Sequence, residues 1–322
     1  MDFITLLPDT IFNAVSEQGY RPTGALFSLN SYENRVYDIA IEEGEPVVAK
    51  FYRPNRWSAE QIREEHLFVS AVANAEIPAV EPLILKKPTP HHVTIGEIDG
   101  YFYALYPKFR GREEPDLNNE KRKWLGRSLG RLHNVGESFL AKHRLQLDPE
   151  TYGYQCLDTI LDQSFLSPDL AESLETYLLR ALELVEIYYR PGLKLIPLHG
   201  DCHLGNVLWN HAGPHLLDFD DMIIAPPAQD VWMLFSGDKN EVREQQEAFF
   251  EGYETFRKFD MTTLILMEPL RTLRMIHYAA WIGRRFEEPA FQRAFPYYRE
   301  NRYWEELLLA IKEQISLMQE LD

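Results

Sequence analysis

The hydrophobic positions of the chain change period part-way along it. In residues 36–41, Tyr37, Ile39 and Ile41 alternate with their neighbours, residues 42–45 with Gly44 read as a turn, and residues 47–52 resume an apolar strand. This pattern predicts a hairpin. Residues 93–98, the pair Asp99-Gly100 and the aromatic run 101–106 predict a second, because Asp-Gly readily supplies the positive φ of a type I′ turn. One helix lies between them. Ser58 followed three residues later by Gln61 is a capping-box pattern, and Ile62, His66, Val69 and Ala73 share a helical face before Pro78.

From about Asn118 onward the period is helical. Leu125, Leu129 and Leu132 form a stripe, and long amphipathic segments fill residues 168–189 and the stretch from 241 to the end. Residues 195–221 are the exception: short apolar strands there carry a high density of polar residues, with a turn at 210–214. The expected architecture is α+β: a small β-rich lobe over residues 1–107 and a larger, mostly helical lobe over 108–322, joined by an aromatic connector near 106–111.

Composition narrows the class. With 322 residues, 45% of them hydrophobic, the chain can bury a large core. Its net charge of −17 repels a polyanion over most of the surface, so nucleic acid is not an expected partner. Two cysteines, Cys156 and Cys202, are too few for a disulfide framework and suit a reducing cytosol. Pro8 and Asp9 interrupt the short apolar run at the N-terminus, and no stretch is long enough to cross a bilayer, so a cytoplasmic protein with no membrane partner is expected. A monomer is the working expectation.

The chemistry is concentrated in Asp201, Asn206 and Asp218, each of which follows or flanks a short apolar strand. Three oxygen-bearing side chains at strand ends suit Mg²⁺, a hard cation that binds phosphate as well. That pattern points to phosphoryl transfer, in which the metal neutralises phosphates and a separate carboxylate orients the attacking hydroxyl.

His199-Gly-Asp-x-His-x-Gly-Asn206, followed by Leu217-Asp218-Phe-Asp220-Asp221, resembles the catalytic and metal-binding loops of the aminoglycoside phosphotransferase and choline kinase group, within the protein-kinase-like fold. Leu29-Asn-Ser-Tyr-Glu-Asn-Arg-Val-Tyr37, Lys50-Phe-Tyr-Arg-Pro54 and Gln229-Asp-Val-Trp-Met-Leu234 look more closely like the bacterial stress response kinase A family, over nearly the whole chain. The resemblance implies a bilobal fold and a cytoplasmic serine/threonine protein kinase that uses ATP and Mg²⁺, acts in a stress response and counteracts stress-induced cell death. Its partners would be ATP and a protein bearing a Ser or Thr hydroxyl.

Residue by residue, the resemblance makes Asp201 the base that accepts or orients the substrate hydroxyl. Asn206 and Asp218 become the Mg²⁺ ligands, with Asp220 assisting, and Asp230 an anchor for the catalytic loop. Lys50 would hold the nucleotide phosphates, with a carboxylate partner from the helix after Ser58. Glu65, beside the apolar stripe, is favoured over Glu64, which is turned a further 100° or so about the helix. No Gly-x-Gly-x-x-Gly occurs. Residues 31–34 by themselves read as a polar turn, and the resemblance gives Ser31 a phosphate-facing role. Gly200 replaces the arginine of eukaryotic protein kinases, which argues against control by a phosphorylated activation loop.

Other readings compete for the same residues. His199, Asp201 and His203 could ligate a transition metal, but the downstream carboxylates bring no further histidine, and His199 reads better as a structural brace. Cys202 reads as a small buried residue. The basic residues of 108–131, and Arg271, Arg274, Arg284 and Arg285, read mainly as solvated helix faces. Lys50, Asp201, Asn206 and Asp218 together argue against a pseudokinase. A small hydroxyl compound of the aminoglycoside, choline or homoserine type is the alternative acceptor, because the shared residues act on the phosphoryl donor.

Overall fold

The computed structural model describes residues 3–321. Two compact units divide it, the first built from residues 1–144, 196–223 and 233–259 and the second from 145–195, 224–232 and 260–322. The boundary expected after residue 107 therefore falls within the first unit. No helix among the described residues is long and apolar enough to cross a membrane.

The first unit begins with helix α1 (Pro8–Glu17). Pro8, which breaks the apolar pattern, sits at the start of this helix, where its missing N–H costs nothing, and Asp9 follows in the first turn. A five-stranded sheet of order β1-β2-β3-β5-β4 follows, from β1 (Pro22–Leu29), β2 (Arg35–Ile41), β3 (Val47–Phe51), β4 (Gly96–Ile98) and β5 (Tyr101–Pro107). Both predicted hairpins form. Val36 pairs with Lys50, and Ile98 with Tyr101 across Asp99 and Gly100, which hold φ of 50° and 79°.

The two-residue alternation sorts the sheet into two faces. Ile39, Ala49, Phe51, Tyr101, Tyr103 and Leu105 pack with Ile11, Ala14 and Val15 of α1. Tyr52 and Ala104 pack with Ile62 of helix α2 (Ala59–Asn74). Ser58 and Gln61 close both halves of the capping box that starts α2. Lys50 lies between Ala49 and Phe51 and so projects away from α1.

The remainder of this unit is a small sheet of β6 (Arg112–Glu113), β8 (Val207–Asn210) and β9 (Gly213–Leu216), the strand β7 (Ile196–Leu198), helix α3 (Asn119–Ser138) and a helix over Lys239–Tyr253. A Cβ at Gly126 would lie 2.1 Å from the Phe249 carbonyl oxygen, and one at Gly252 would lie 2.0 Å from that of Lys123. Glycine at these positions is what lets the two helices cross backbone to backbone. Arg122, in the stretch read as a solvated face, is buried, and its guanidinium donates to the Leu234 carbonyl.

The second unit is helical, with helices over Gln155–Leu161, Pro168–Tyr188, Met267–Gly283, Pro289–Ala294 and Asn301–Gln319. Leu174, Leu178, Leu182, Leu270, Leu273, Ile276, Trp304 and Ile311 are buried in it. Asp230 lies within a short helix, Ala228–Trp232, and is fully buried. Arg271 pairs with Glu268 at 3.0 Å, and Arg285, just beyond the end of the same helix, lies over the Trp281 ring, so both basic residues pack on the helix Met267–Gly283.

Candidate active site

Every residue of the site described here belongs to the first unit. Lys50, at the inner end of β3, is nearly inaccessible, and its ammonium lies 3.0 Å from Asp218 Oδ1, 3.0 Å from Asp220 Oδ1 and 3.8 Å from Glu65 Oε1. Burial alone would disfavour its charge, but the carboxylates of Asp218, Asp220 and Glu65 outweigh it and hold the ammonium well above its ordinary pKa. Glu65 is buried too. Burial pushes its carboxyl up to about 7, against the pull of Lys50 and with the help of Asp220.

Glu64, one position away on α2, faces elsewhere. Its carboxylate accepts the backbone N–H groups of Lys142, His143 and Arg144 at 2.6–2.8 Å, which fastens the chain beyond α3 to α2. The helical phase thus gives two adjacent glutamates separate tasks, one on a lysine and one on a backbone turn.

The segment 199–206 is a largely covered turn braced from within, with His199 and Cys202 fully buried. His199 Nε2 is 2.8 Å from the Leu217 carbonyl and its ring lies 4.5 Å from that of Phe219, so this histidine is the structural brace expected. Gly200 has φ 88°, and a Cβ there would sit 2.0 Å from the Asp221 carbonyl oxygen. Asp201 keeps its side chain about one-fifth exposed, with Oδ2 3.5 Å from His203 Nε2, while its carbonyl accepts the Asn206 amide at 2.9 Å. Among the described residues no three His, Cys, Asp or Glu side chains converge as a metal cluster. Cys202 is buried.

Asp218 is the hinge of the carboxylate segment. Its backbone is left-handed, φ 55° and ψ 66°, a conformation that Asp tolerates better than most residues, and it leads directly into a helical turn, Phe219–Asp221. The side chains of Asp218 and Asp220 therefore diverge. Asp218 is 55% exposed, whereas Asp220 is 4% exposed and engaged by Lys50 and Arg56. Burial would raise the Asp220 carboxyl, yet Lys50, Arg56 and Arg144 hold it well below the usual carboxylate range.

A cavity of about 520 Å³ opens beside this cluster. Leu29, Val36, Val48, Val69, Val80, Tyr106, Phe109, Leu208 and Leu217 give it apolar walls, and Ser31, Lys50, Glu65, Asn206 and Asp218 bring polar groups to it. Ser31 Oγ accepts the N–H of Asn34 at 3.3 Å and keeps its own proton to donate. Asp201 is not one of the walls. Neither is Asp220, whose Oδ1 lies 3.0 Å from the Lys50 ammonium and whose Oδ2 accepts from Arg56 inside the protein. The donor set that does reach the cavity fits Mg²⁺. Asn206 commits its amide nitrogen to Asp201 and leaves its oxygen to offer, and Asp218 supplies a half-exposed carboxylate, the one-or-two-ligand arrangement that suits a metal sharing its shell with phosphate and water.

Arg56 and Arg144 carry no local sequence signal and were not anticipated. Arg56 donates to carboxylate oxygens of both Asp220 and Asp221, and Arg144 donates to the carbonyls of Asp220 and, at 2.8 Å, Met222.

An apolar slot with a caged lysine, a half-exposed Asp–Asn pair and a second aspartate close by defines a phosphotransferase of the kinase-like class. The family model described as "Phosphotransferase enzyme family" matches residues 27–264. The chain belongs to that family and, within it, to the stress response kinase A group. It is 38% identical over 318 residues to "Stress response kinase A" of Escherichia coli O157:H7, covering 99% of this chain and 95% of that protein, and 37% identical over 318 residues to "Serine/threonine protein kinase RdoA" of Salmonella typhimurium, with the same coverage. Among solved structures, an amicoumacin kinase, hAmiN, in complex with AMP-PNP, Ca²⁺ and Ami, aligns with a TM-score of 0.73 at 18% identity, covering 93% of this chain and 92% of that one. A microcompartment-associated aminopropanol kinase aligns at 0.68 and 17%, covering 96% and 95%. The α+β kinase-like fold expected from the sequence is the fold of this chain.

Proposed function

We propose that this phosphotransferase is an ATP- and Mg²⁺-dependent protein kinase that phosphorylates Ser or Thr hydroxyls in the cytoplasm, in a stress response that counteracts cell death. The carrying observation is the Lys50 ammonium, caged by Asp218 and Glu65 on the wall of a slot that also presents Asn206. The protein acceptor is supported by the printed names of relatives at 37–38% identity over 99% of the chain.

In this reading the adenine base lies between Val36 and Val48 on one side and Leu208 and Leu217 on the other, against the connector at Tyr106 and Phe109. Lys50 donates to the phosphates, and the Ser31 hydroxyl and nearby amides meet them from the loop between β1 and β2. Asn206 and Asp218 hold the metal, which when bound neutralises the phosphate charge that the transfer develops. Asp201 accepts a hydrogen bond from the acceptor hydroxyl, aims its oxygen in line with the γ-phosphorus and takes the proton as the new ester bond forms and the bond from the γ-phosphorus to the bridging oxygen of the departing ADP breaks. Glu65 and Asp220 keep Lys50 in place. Asp220 thereby acts on the phosphates through the lysine.

The acceptor decides between this and a second reading. Both solved structures aligned above are described as kinases of small molecules, which supports a small hydroxyl compound as the alternative. Incubation with γ-labelled ATP, in parallel with cell lysate and with a panel of small alcohols, tests the choice. Label in protein Ser or Thr is the expected result, and label confined to a small alcohol refutes the protein acceptor.

A further inference from the structure

Lys50 is followed by Phe51-Tyr52-Arg53-Pro54-Asn55-Arg56-Trp57, and the transfer as described uses neither arginine. Both reach back to the loop between β1 and β2. Arg53 donates its backbone N–H to Asn34 Oδ1 at 3.1 Å and its Nε to the Glu33 carbonyl at 3.0 Å, and the same Nε lies 2.8 Å from Glu33 Oε1. Arg56 Nε lies 3.7 Å from that Glu33 oxygen. Its other two nitrogens donate to Asp220 and Asp221.

One guanidinium thus spans carboxylates from two places 187 residues apart in the chain, Glu33 at one end and Asp220 at the other. It is held there firmly. The Arg56 side chain is 13% exposed and lies 4.9 Å over the Trp57 ring, and the Arg144 guanidinium lies 4.1 Å over the same ring while gripping the backbone of residues 220 and 222. A planar fork with five donors suits such a bridge, whereas a lysine, as a point charge, does not. Gly200, where the clash with the Asp221 carbonyl excludes any side chain, leaves the task of ordering this segment to arginines from outside the catalytic loop.

We propose that Arg56 is a positioning residue that couples the phosphate-facing loop at residues 30–34 to the metal-holding segment at 218–221, so that nucleotide and Mg²⁺ strengthen each other's binding. The inference rests on the reading that Ser31 faces phosphate and Asp218 faces the metal. A metal–nucleotide complex touches both segments, and ordering either one through Arg56 orders the other. By linkage the gain is reciprocal.

The test is calorimetric titration of the full chain with a non-hydrolysable ATP analogue, with and without MgCl₂, for the wild type, Arg56→Gln, Arg56→Lys and Glu33→Gln. The wild type should bind more tightly with Mg²⁺. Arg56→Gln should lose about 10-fold of that enhancement, within the usual range for coupled sites, and hold its Mg²⁺-free affinity within about twofold. Arg56→Lys should fail to restore it. Glu33→Gln, altered in the loop alone, should lose a comparable part, and the double variant should be no worse than Arg56→Gln, as expected of two residues in one linkage. An unchanged Mg²⁺ enhancement in Arg56→Gln overturns the proposal. If that variant does not fold, an unchanged enhancement in Glu33→Gln overturns it instead. A uniform loss of affinity with and without metal also overturns it, because that marks a merely structural role. Absence of any Mg²⁺-dependent binding by the wild type refutes the kinase reading itself, an outcome distinct from the others.

Discussion

Replacing Glu65 by Gln tests whether the carboxylate that steadies Lys50 is kept against its own burial cost. Burial raises this carboxyl from its ordinary 4.5 to about 7 in the folded protein. The fold therefore favours the protonated form. The stability associated with this group is fully present below about pH 4.5 and is lost as pH rises through 7. Across that window the ionised side chain costs about 3 kcal/mol, at about 1.4 kcal/mol per pKa unit. Gln mimics the protonated acid in shape and charge, so the variant avoids the cost. It should exceed the wild type in stability by about 1 kcal/mol at pH 5.5 and by about 3 kcal/mol at pH 8. At about 2 cal/mol/K per residue, with either the first unit or the whole chain melting together, the pH 8 difference is a rise in Tm of about 4–7 °C. Thermal and urea unfolding at the two pH values measure it. Phosphoryl transfer should fall about 10–10²-fold in the same variant, because Lys50 loses the partner that fixes it against α2. A stability gap that does not widen with pH, or a wild type more stable than the variant at pH 8, refutes the reasoning and means that attraction to Lys50 outweighs burial.

Three further outcomes are expected. Asp201→Asn should lower turnover about 10²–10⁴-fold while leaving folding and nucleotide binding intact, and steady-state kinetics beside a nucleotide titration will tell; near-wild-type turnover contradicts the proposed role as base. Asp218→Ala should abolish the Mg²⁺-dependent part of nucleotide affinity, so an unchanged magnesium titration counts against it. Gly200→Ala places a methyl 2.0 Å from the Asp221 carbonyl and forces a left-handed φ on alanine. It should cost at least about 2 kcal/mol in stability and displace residues 218–221, read as a lowered Tm together with weakened metal dependence.

Local chemistry made much of this fold legible in the sequence. Asp99-Gly100 announced its turn because few pairs tolerate two consecutive positive φ values, and Ser58 with Gln61 announced the start of α2 because their reciprocal hydrogen bonds need only four residues. Helical phase separated Glu65 from Glu64, since a 100° step is enough to aim them at different partners. Features governed by distant partners stayed hidden. Strand β1 lies at the sheet edge with most of its residues exposed, so it shows no alternation, and α1 begins at a proline that reads as an interruption. Asp218 and Asp220, two positions apart, look equivalent as metal ligands until the left-handed backbone at Asp218 turns one outward and leaves the other to Lys50 and Arg56. Arg56 meets its acidic partners across 164 and 165 residues, a pairing that no local pattern encodes.

The interleaving of the two units also governs when the enzyme can exist during its own synthesis. Lys50 and Asp218 are 168 residues apart, and residues 145–195, which belong to the other unit, emerge between them. At a translation rate of about 5–20 residues per second, the lysine waits roughly 8–34 s on the ribosome for its carboxylate. During that interval the sheet can close over α1, but the nucleotide slot lacks its floor and the lysine lacks two of its counter-charges. The first unit is complete only once residue 259 has emerged. A message truncated before codon 218 therefore yields a product without phosphotransferase activity, and the catalytic competence of the chain arrives late and all at once.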